Sequence, residues 1–300
     1  MTSMANRWSQ PPASIRDWLR HAETTLVGHG VPNARRNAEW MLCHTLGWSM
    51  LDVYVHANAP LEETRARCYW ELVERRASRE PLQYILAETE FMSLRFEIRP
   101  RVFIPRPETE LLVEKAEAQL RARPLHEALH VVDLCAGSGI VGVSLARRIA
   151  NLTVVAVDTA QEAVQLTAAN AMHQGVSDRV SVVEADALEF LEATARRPSG
   201  FAGVVCNPPY IATSELAALP REVREHEPML ALDGGRDGLD FYRRVVPLLA
   251  RCLHANGFVM FEIGDTQAAA VAALLREAGF GRIEVAKDYA GCDRVIAGQM

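Results

Sequence analysis

The stretch Val131-Val132-Asp133-Leu134-Cys135-Ala136-Gly137-Ser138-Gly139 reads as a buried strand that ends in a glycine-rich turn and leads into a helix from about Ile140. Small residues after the strand let the backbone turn tightly and approach a ligand, and the N–H groups of a helix start face whatever sits there. Gly137, Gly139 and Gly142 satisfy G-x-G-x-x-G, and Asp158 ends the next apolar run at about the spacing of an acid that holds the hydroxyls of an adenosine ribose. A dinucleotide-binding dehydrogenase and an enzyme using S-adenosylmethionine would both show this much; a tight turn with no ligand would show the glycines alone. Asp133 tilts the balance toward the second. An acid four residues before the first glycine can face the ammonium of a methionine moiety, whereas it repels a pyrophosphate. A Walker phosphate loop is excluded, because no Gly-Lys-Ser/Thr follows the glycines.

Working outward, strand and helix patterns alternate after Pro124. Strands are predicted at His130–Cys135, Val154–Asp158, Val180–Asp186, Gly203–Cys206, Phe258–Ile263, Ile283–Asp288 and Asp293–Ala297, with helical stretches between most of the first six. That rhythm calls for an α/β, Rossmann-like, mostly parallel seven-stranded sheet covered on both faces. Only Tyr289–Cys292 separates the last two strands, too little for a crossover helix, so the final strand runs antiparallel to its neighbour.

Upstream the pattern is helical to about Arg79. Ser14 is an N-cap, and Ile15, Trp18, Leu19, Ala22 and Leu26 recur at helical spacing until Gly28 and Gly30. Ala38, Met41, Leu42, Thr45 and Leu46 repeat the pattern, and Pro60 opens a third helix with Glu62 and Glu63 in its first turn. Trp18, Trp40, Trp48 and Trp70 are expected in the core of this bundle. Leu94, Phe96 and Ile98, then Val102 and Ile104, alternate with polar residues and predict a hairpin turning at Arg99-Pro100-Arg101. The expected organisation is a substrate-docking helical bundle over 1–79, a linker with the hairpin over 80–107, and the sheet domain over 108–300.

Composition agrees with a soluble globular chain: 300 residues, 49% hydrophobic and 23% charged. The net charge of -6 removes the simplest argument for nucleic-acid binding, and the bundle itself is about neutral. Met1–Ser14 holds no apolar core behind a positive start, and no apolar run approaches the length of a membrane span, so a cytoplasmic protein is expected. Six cysteines without a C-x-x-C pair argue against a disulfide framework or a metal site, and all six are expected in or near the core.

A second motif, Asn207-Pro208-Pro209-Tyr210, follows the strand Val204-Val205-Cys206 at the carboxyl edge of the sheet, where ligands of such sheets bind. Asn207 precedes proline and is pushed into extended geometry, and the two prolines carry no N–H, so the backbone there presents carbonyls only. Pro-Pro alone is also common loop punctuation. The whole tetrapeptide makes an acceptor-only pocket. A planar NH2 group could donate one hydrogen to the Asn207 side-chain oxygen and the other to the Pro208 carbonyl, with Tyr210 on its face.

The pair D-x-x-x-G-x-G and N-P-P-Y resembles the class I methyltransferases that alkylate planar nitrogens. Ile104-Pro105-Arg106-Pro107-Glu108-Thr109-Glu110 narrows the resemblance, together with Arg79-Glu80-Pro81-Leu82-Gln83-Tyr84-Ile85, Ile211 after the N-P-P-Y, Glu227-Pro228, Gly234-Gly235-Arg236-Asp237-Gly238 and Phe241-Tyr242-Arg243. These match the release-factor glutamine N(5)-methyltransferase family, the HemK/PrmC group, over residues from about 15 to 298. The sister enzymes that methylate a ribosomal-protein glutamine carry a different sequence after I-P-R, so Pro107-Glu108-Thr109-Glu110 favours the release-factor branch. The resemblance implies S-adenosylmethionine held by Asp133, Cys135, Ala136, Gly137, Ser138, Gly139, Asp158, Asp186, Ala187 and Asn207. It implies catalysis by Asn207, Pro208, Pro209 and Tyr210, with no metal, and a peptide chain release factor as protein substrate of a monomeric enzyme. The chain departs from the family pattern at Cys135-Ala136, where Gly-Thr is usual, at Ala87 and Ser93, where glycines are usual, and at Ala187, where an aromatic residue is frequent.

An amide nitrogen is a poor nucleophile because its lone pair is delocalised into the carbonyl. Donating both hydrogens to Asn207 and Pro208 would raise electron density on nitrogen and aim it at the sulfonium methyl, at a near-attack separation of about 3 to 3.5 Å. Acceptor oxygens already in place would stabilise the charge that develops, by roughly 3 to 4 kcal/mol per group, and no strong base is needed. A peptide or small-molecule amide methyltransferase would use the same chemistry. A DNA adenine methyltransferase would also need a basic cleft and a recognition domain, neither of which is visible. A nicotinamide oxidoreductase leaves Asp133 and Asn207–Tyr210 unexplained, and a non-catalytic binding module leaves the intact motifs without a use.

Overall fold

The computed structural model describes residues 12–124, 128–195 and 200–300, so the expectation about Met1–Ser14 falls mainly outside the described residues. The chain divides into two units, one of residues Met1–Ala87 with Arg221–His226, the other of Glu88–Pro220 with Glu227–Met300.

In the first unit, α1 (Ile15–Gly28) begins where the Ser14 hydroxyl accepts the Asp17 N–H at 3.2 Å and donates to the Asp17 carboxylate at 2.6 Å. Its buried side chains are Ile15, Trp18, Leu19, Ala22 and Leu26, the stripe that the spacing predicts. Next comes α2 (Ala34–Leu46), which ends at Gly47 in the left-handed region. The hydrophobic spacing missed α3 (Met50–Val55), a six-residue helix too short to show a period. A Ser49/Asp52 capping box marks it instead. Glu62, not Pro60, caps α4 (Glu63–Ala77), and α5 (Leu82–Leu86) follows Pro81. Trp18 and Trp70 lie in the core and Trp48 is half-buried, but Trp40 is 43% exposed, because it points away from the α2 stripe of Ala38, Met41, Leu42 and Thr45. Cys68, on the outer side of α4, is exposed, against the expectation for all six cysteines.

The second unit opens with the hairpin of β1 (Glu88–Phe91) and β2 (Leu94–Glu97). Its turn is Met92-Ser93, both left-handed at φ 52° and 60°, the geometry that two-residue hairpins need. The expected partner strand at Val102–Ile104 does not form. Val102 and Ile104 alternate because they are buried from an extended loop, while the real partner, Glu88-Thr89-Glu90-Phe91, carries no apolar alternation and no Asn-Gly turn.

The remaining elements are α6 (Thr109–Arg121), β3 (Leu129–Leu134), α7 (Ile140–Arg148), β4 (Leu152–Asp158), α8 (Gln161–His173), β5 (Val180–Glu184), α9 (Ala187–Thr194), β6 (Phe201–Cys206), α10 (Arg221–His226), α11 (Asp240–Leu249), β7 (Leu253–Glu262), α12 (Ala268–Glu277), β8 (Arg282–Lys287) and β9 (Asp293–Gln299). The seven-stranded sheet has the order β5-β4-β3-β6-β7-β9-β8. Strands β3 to β7 are parallel, and β9 inserts antiparallel between β7 and β8. Every residue of β6 is buried, as are Val131 to Leu134 of β3, the continuous apolar run of strands covered on both faces. The chain leaves β3 toward β4 and β5 on one side and returns as β6 on the other. That reversal opens a crevice at the carboxyl ends of β3 and β6.

Helix α10 groups with the helical unit although its neighbours in sequence do not. Glu222 accepts from Arg76 at 2.9 Å and from Arg79 at 2.7 Å. Despite burial, the two guanidinium groups hold its carboxyl down to about 2.

Candidate active site

The turn after β3 is built from residues in unusual backbone states. Cys135, Gly137 and Gly139 have φ of 56°, 58° and 75°. Gly139 caps α7 and can be nothing larger, since a Cβ there would lie 2.6 Å from Thr167 Cγ2. A Cβ on Gly142 would lie 2.8 Å from Val154 Cγ1 and 2.9 Å from Asp133 Oδ2, so the third glycine lets α7 pack on the sheet. At Gly137 a Cβ would meet nothing within 4 Å; here the turn borders open space. Helix α8 fixes the turn from behind. Thr167 donates to the Gly137 carbonyl at 3.0 Å, and Asn170, fully buried, donates to the Ser138 carbonyl at 2.9 Å.

Asp133 is 1% exposed, and its Oδ2 accepts the Gly142 N–H at 2.8 Å. Burial pushes its carboxyl up to about 7, the hydrogen bond opposes this, and the nearby Asp158 charge adds to it. Asp158, ending β4 beside β3, accepts the Gly137 N–H at 2.8 Å on one oxygen and the Ala160 N–H at 2.9 Å on the other. Each oxygen keeps a second lone pair. On the outer side of β4, past the end of β5, Asp186 caps α9 by accepting the Leu188 N–H at 2.8 Å, with Ala187 buried beside it.

Across β3, the register pairs Leu134 with Cys206, which brings Asn207-Pro208-Pro209-Tyr210 next to the glycine turn. Burial is the main cause of the raised pKa of the Cys206 thiol, and Cys135 adds to it. Asn207 Nδ2 donates to Thr109 Oγ1 at 3.3 Å, so Oδ1 points the other way. The Tyr210 hydroxyl donates to Glu262 Oε1 at 3.1 Å. The main chain of Tyr210 and Ile211 is gripped from the far side. Gln267 donates to the Tyr210 carbonyl at 2.8 Å, and Ile211 and Asp233 form a parallel bridge. A Cβ on Gly234 would lie 2.8 Å from Tyr210 Cα, and one on Gly238 2.3 Å from Tyr210 O. Gly234 and Gly238 are therefore the residues that let this loop lie against the Tyr210 backbone.

The Ile104–Glu110 motif surrounds the same place. Arg106 donates to Glu227 at 2.6 Å, and Glu227 also accepts the Ile104 N–H at 3.1 Å, joining this motif to Glu227-Pro228. Burial raises the Glu227 carboxyl although Arg106 opposes it. Glu110 accepts the Met92 N–H at 2.6 Å and so anchors the hairpin turn. Among the described residues no group of three His, Cys, Asp or Glu could hold a metal ion, and no helix is long and apolar enough to cross a membrane.

The structure thus gathers all the expected site residues at the carboxyl ends of β3 to β6. Sequence reasoning assigned no role to Thr167, Asn170, Gln267 or Glu262. Thr167 and Asn170 carried a usable signal, polar residues on the buried side of α8 with Ala163, Leu166 and Ala171.

Residues 17–86 match the family described as PrmC N-terminal domain, and residues 107–234 the family described as Methyltransferase small domain. The Release factor glutamine methyltransferase of Geobacter sulfurreducens is 41% identical over 286 residues, 95% of both chains. The protein of that name from Moorella thermoacetica is 39% identical and covers 94% of this chain and 96% of its own. Among solved structures, the hMettl16 catalytic domain in complex with a MAT2A 3'UTR hairpin is similar in fold alone, with 16% identity, a TM-score of 0.55, and coverage of 76% of this chain and 81% of that one.

Proposed function

The chain belongs to the release factor glutamine methyltransferase family, and from this we propose that it transfers a methyl group from S-adenosylmethionine to the side-chain amide nitrogen of the glutamine in the Gly-Gly-Gln segment of a peptide chain release factor. The observation that carries the reading is the Asn207 amide, turned by Thr109 so that its oxygen is left for a donor, next to two prolines that offer no N–H.

The residues present fit S-adenosylmethionine. Open space borders Gly137, Asp158 keeps lone pairs for two ribose hydroxyls, Asp133 offers a buried carboxyl that an ammonium beside it would hold in the charged form, and Asp186-Ala187 lies one strand further out for the base. When bound, this group supplies an electrophilic methyl. The protein's part is to hold and polarise the amide. Asn207 Oδ1 and the Pro208 carbonyl accept its two hydrogens, which localises the lone pair on nitrogen, and Tyr210, tethered to Glu262, covers the face. Once nitrogen carries the methyl group, one of the two hydrogens leaves to solvent as a proton, because an N-protonated amide is a strong acid. Asp133, Cys135, Ala136, Gly137, Ser138, Gly139, Asp158, Asp186 and Ala187 serve the cofactor; Asn207, Pro208, Pro209 and Tyr210 serve the reaction. The net charge of -6 supports a protein partner over a nucleic acid.

The test compares methyl transfer from labelled S-adenosylmethionine to an intact release factor, to its isolated loop peptide and to free glutamine. The factor should be labelled fastest, because the peptide must lose its own conformational freedom on binding. Label on free glutamine or the peptide but not on the factor would transfer the assignment to another amide substrate.

A further inference from the structure

Asn170 of α8 is fully buried, and both hydrogens of its amide are committed. One goes to the Ser138 carbonyl in the cofactor turn at 2.9 Å, and the other to the Glu97 carbonyl at 3.1 Å. Its oxygen accepts the Glu97 N–H at 2.8 Å. One side chain therefore holds both the cofactor turn and the end of β2. Reversed, the amide would set its oxygen against two carbonyls and its NH2 against an N–H, so its partners fix its orientation. Its neighbours on α8 grip the same two parts. Thr167, three residues earlier, donates to the Gly137 carbonyl at 3.0 Å, and Gln174, four residues later, donates to the Arg95 carbonyl at 2.6 Å.

The hairpin has a second anchor at its tip. There the Met92 N–H donates to Glu110 at 2.6 Å, and Glu110 follows Thr109, the residue that holds the Asn207 amide. Between the anchors runs the ladder from Glu88 opposite Glu97 to Phe91 opposite Leu94, with Phe91 and Phe96 buried edge to face at 6.3 Å. Its hydrogen bonds and two-residue turn hold the hairpin together as one piece. A shift of the Ser138 main chain must then break its bond to Asn170 or carry β2 with it, because the amide has no spare hydrogen with which to adapt.

We propose that Asn170 is a positioning residue that ties the hairpin to the cofactor turn, so that filling the turn with S-adenosylmethionine orders the hairpin and, through Glu110, the acceptor side of the site. The release factor then binds more tightly to the cofactor-loaded protein. This rests on the cofactor and substrate reading above. A second ligand gains whenever the first has already ordered the groups it needs, and such coupling is reciprocal.

The test uses the full chain and S-adenosylhomocysteine, which has no methyl to transfer, at a saturating concentration set by calorimetry. Hydrogen exchange followed by mass spectrometry should show residues 88–97 of the wild type exchanging about fivefold or more slowly with the ligand, together with residues 136–142. Asn170→Asp keeps the size and the acceptor for the Glu97 N–H but turns an oxygen toward the two carbonyls. In this variant residues 136–142 should still be protected by the ligand and residues 88–97 should not. Affinity for the release factor should rise about fivefold or more with the ligand in the wild type, and not at all in Asn170→Asp. Glu110→Ala, which leaves Asn170 in place, should also lose that rise, and Glu110→Gln, which still offers an oxygen to the Met92 N–H, should restore it. A purely structural Asn170 would lower the melting temperature of Asn170→Asp and leave the affinity ratio as in the wild type, which would overturn the proposal. Ligand bound to the wild type with unchanged exchange of residues 88–97 would overturn it as well. If Asn170→Asp does not fold, the wild-type exchange and the Glu110 pair decide. No binding of the ligand would overturn the cofactor reading and the coupling together, whereas a protected hairpin with no affinity for the factor would count against the substrate and the coupling to it alone.

Discussion

Replacing Asp133 by asparagine should make the protein more stable and a poorer cofactor binder, with a pH dependence that identifies the cause. The carboxyl is 1% exposed and pushed up to about 7 from an ordinary 3.8. Between those values the folded state holds a proton that the unfolded state has released, so stability falls as pH rises through the window and stays lowered above it. At about 1.4 kcal/mol for each factor of ten, the full penalty is about 4 kcal/mol. Asparagine keeps the shape and an oxygen for the Gly142 N–H, bonded at 2.8 Å in the wild type, but brings an NH2 that needs a partner, at a cost of about 1 to 3 kcal/mol. A net gain of about 1 to 3 kcal/mol remains at pH 8, or roughly 2 to 12 °C in the melting temperature of a unit this size. Melting curves of both proteins at pH 4 and pH 8 measure it; the advantage of Asp133→Asn should grow with pH and level off above about 7. Calorimetry should show S-adenosylmethionine bound at least about tenfold more weakly by the variant, which has lost a buried charge for the ammonium. A stability difference that does not vary with pH would show that Asp133 carries no burial penalty, and unaltered affinity would remove it from the cofactor site.

Asn207→Ala should lower turnover by about 100-fold or more with little change in cofactor affinity, because it removes an acceptor that matters most in the transition state; near-normal turnover would contradict the amide pocket. Asp158→Ala should weaken S-adenosylmethionine binding by more than about 100-fold while circular dichroism shows the fold intact, since two hydroxyl acceptors are lost together. Affinity for NADH in the wild type, with none for S-adenosylmethionine, would reverse the choice between the two ribose-binding chemistries. Ala87, Ser93 and Cys135 stand where the resembling family has glycine, and all three are left-handed, at φ 57°, 60° and 56°. Each change to glycine should therefore raise stability by up to about 1 kcal/mol, read as a higher melting temperature, and unchanged or lower values at all three would show the strain to be absent.

The sheet was legible because its signals are local. A continuous apolar run, a glycine turn and an acid at the next strand end place β3, α7 and β4 without further context, and the short link at Tyr289–Cys292 fixes the direction of β9. It could not reveal that β9 inserts between β7 and β8, since pairing order lies in contacts far apart in sequence. The hairpin was misplaced for a similar reason. Its turn uses Met92-Ser93 in conformations that glycine or asparagine would advertise, and the loop at Val102–Ile104 imitates a strand because alternate residues are buried. In the site, Asp133, Asp158 and Asn207 could be named from their motifs, whereas Thr109 could be quoted in Pro105–Glu110 but given no task. Glu262 ends an apolar strand like any other acid, and only the fold brings it under Tyr210.

The central claim is that the nitrogen accepting the methyl group belongs to a glutamine side chain held by Asn207 and Pro208. Tandem mass spectrometry of a cognate release factor after incubation with wild-type protein and isotopically labelled S-adenosylmethionine locates that methyl directly. The account predicts one labelled methyl on the side-chain nitrogen of the Gly-Gly-Gln glutamine, reduced by about 100-fold or more with Asn207→Ala. Label on any other residue, or the same yield from Asn207→Ala, would contradict it.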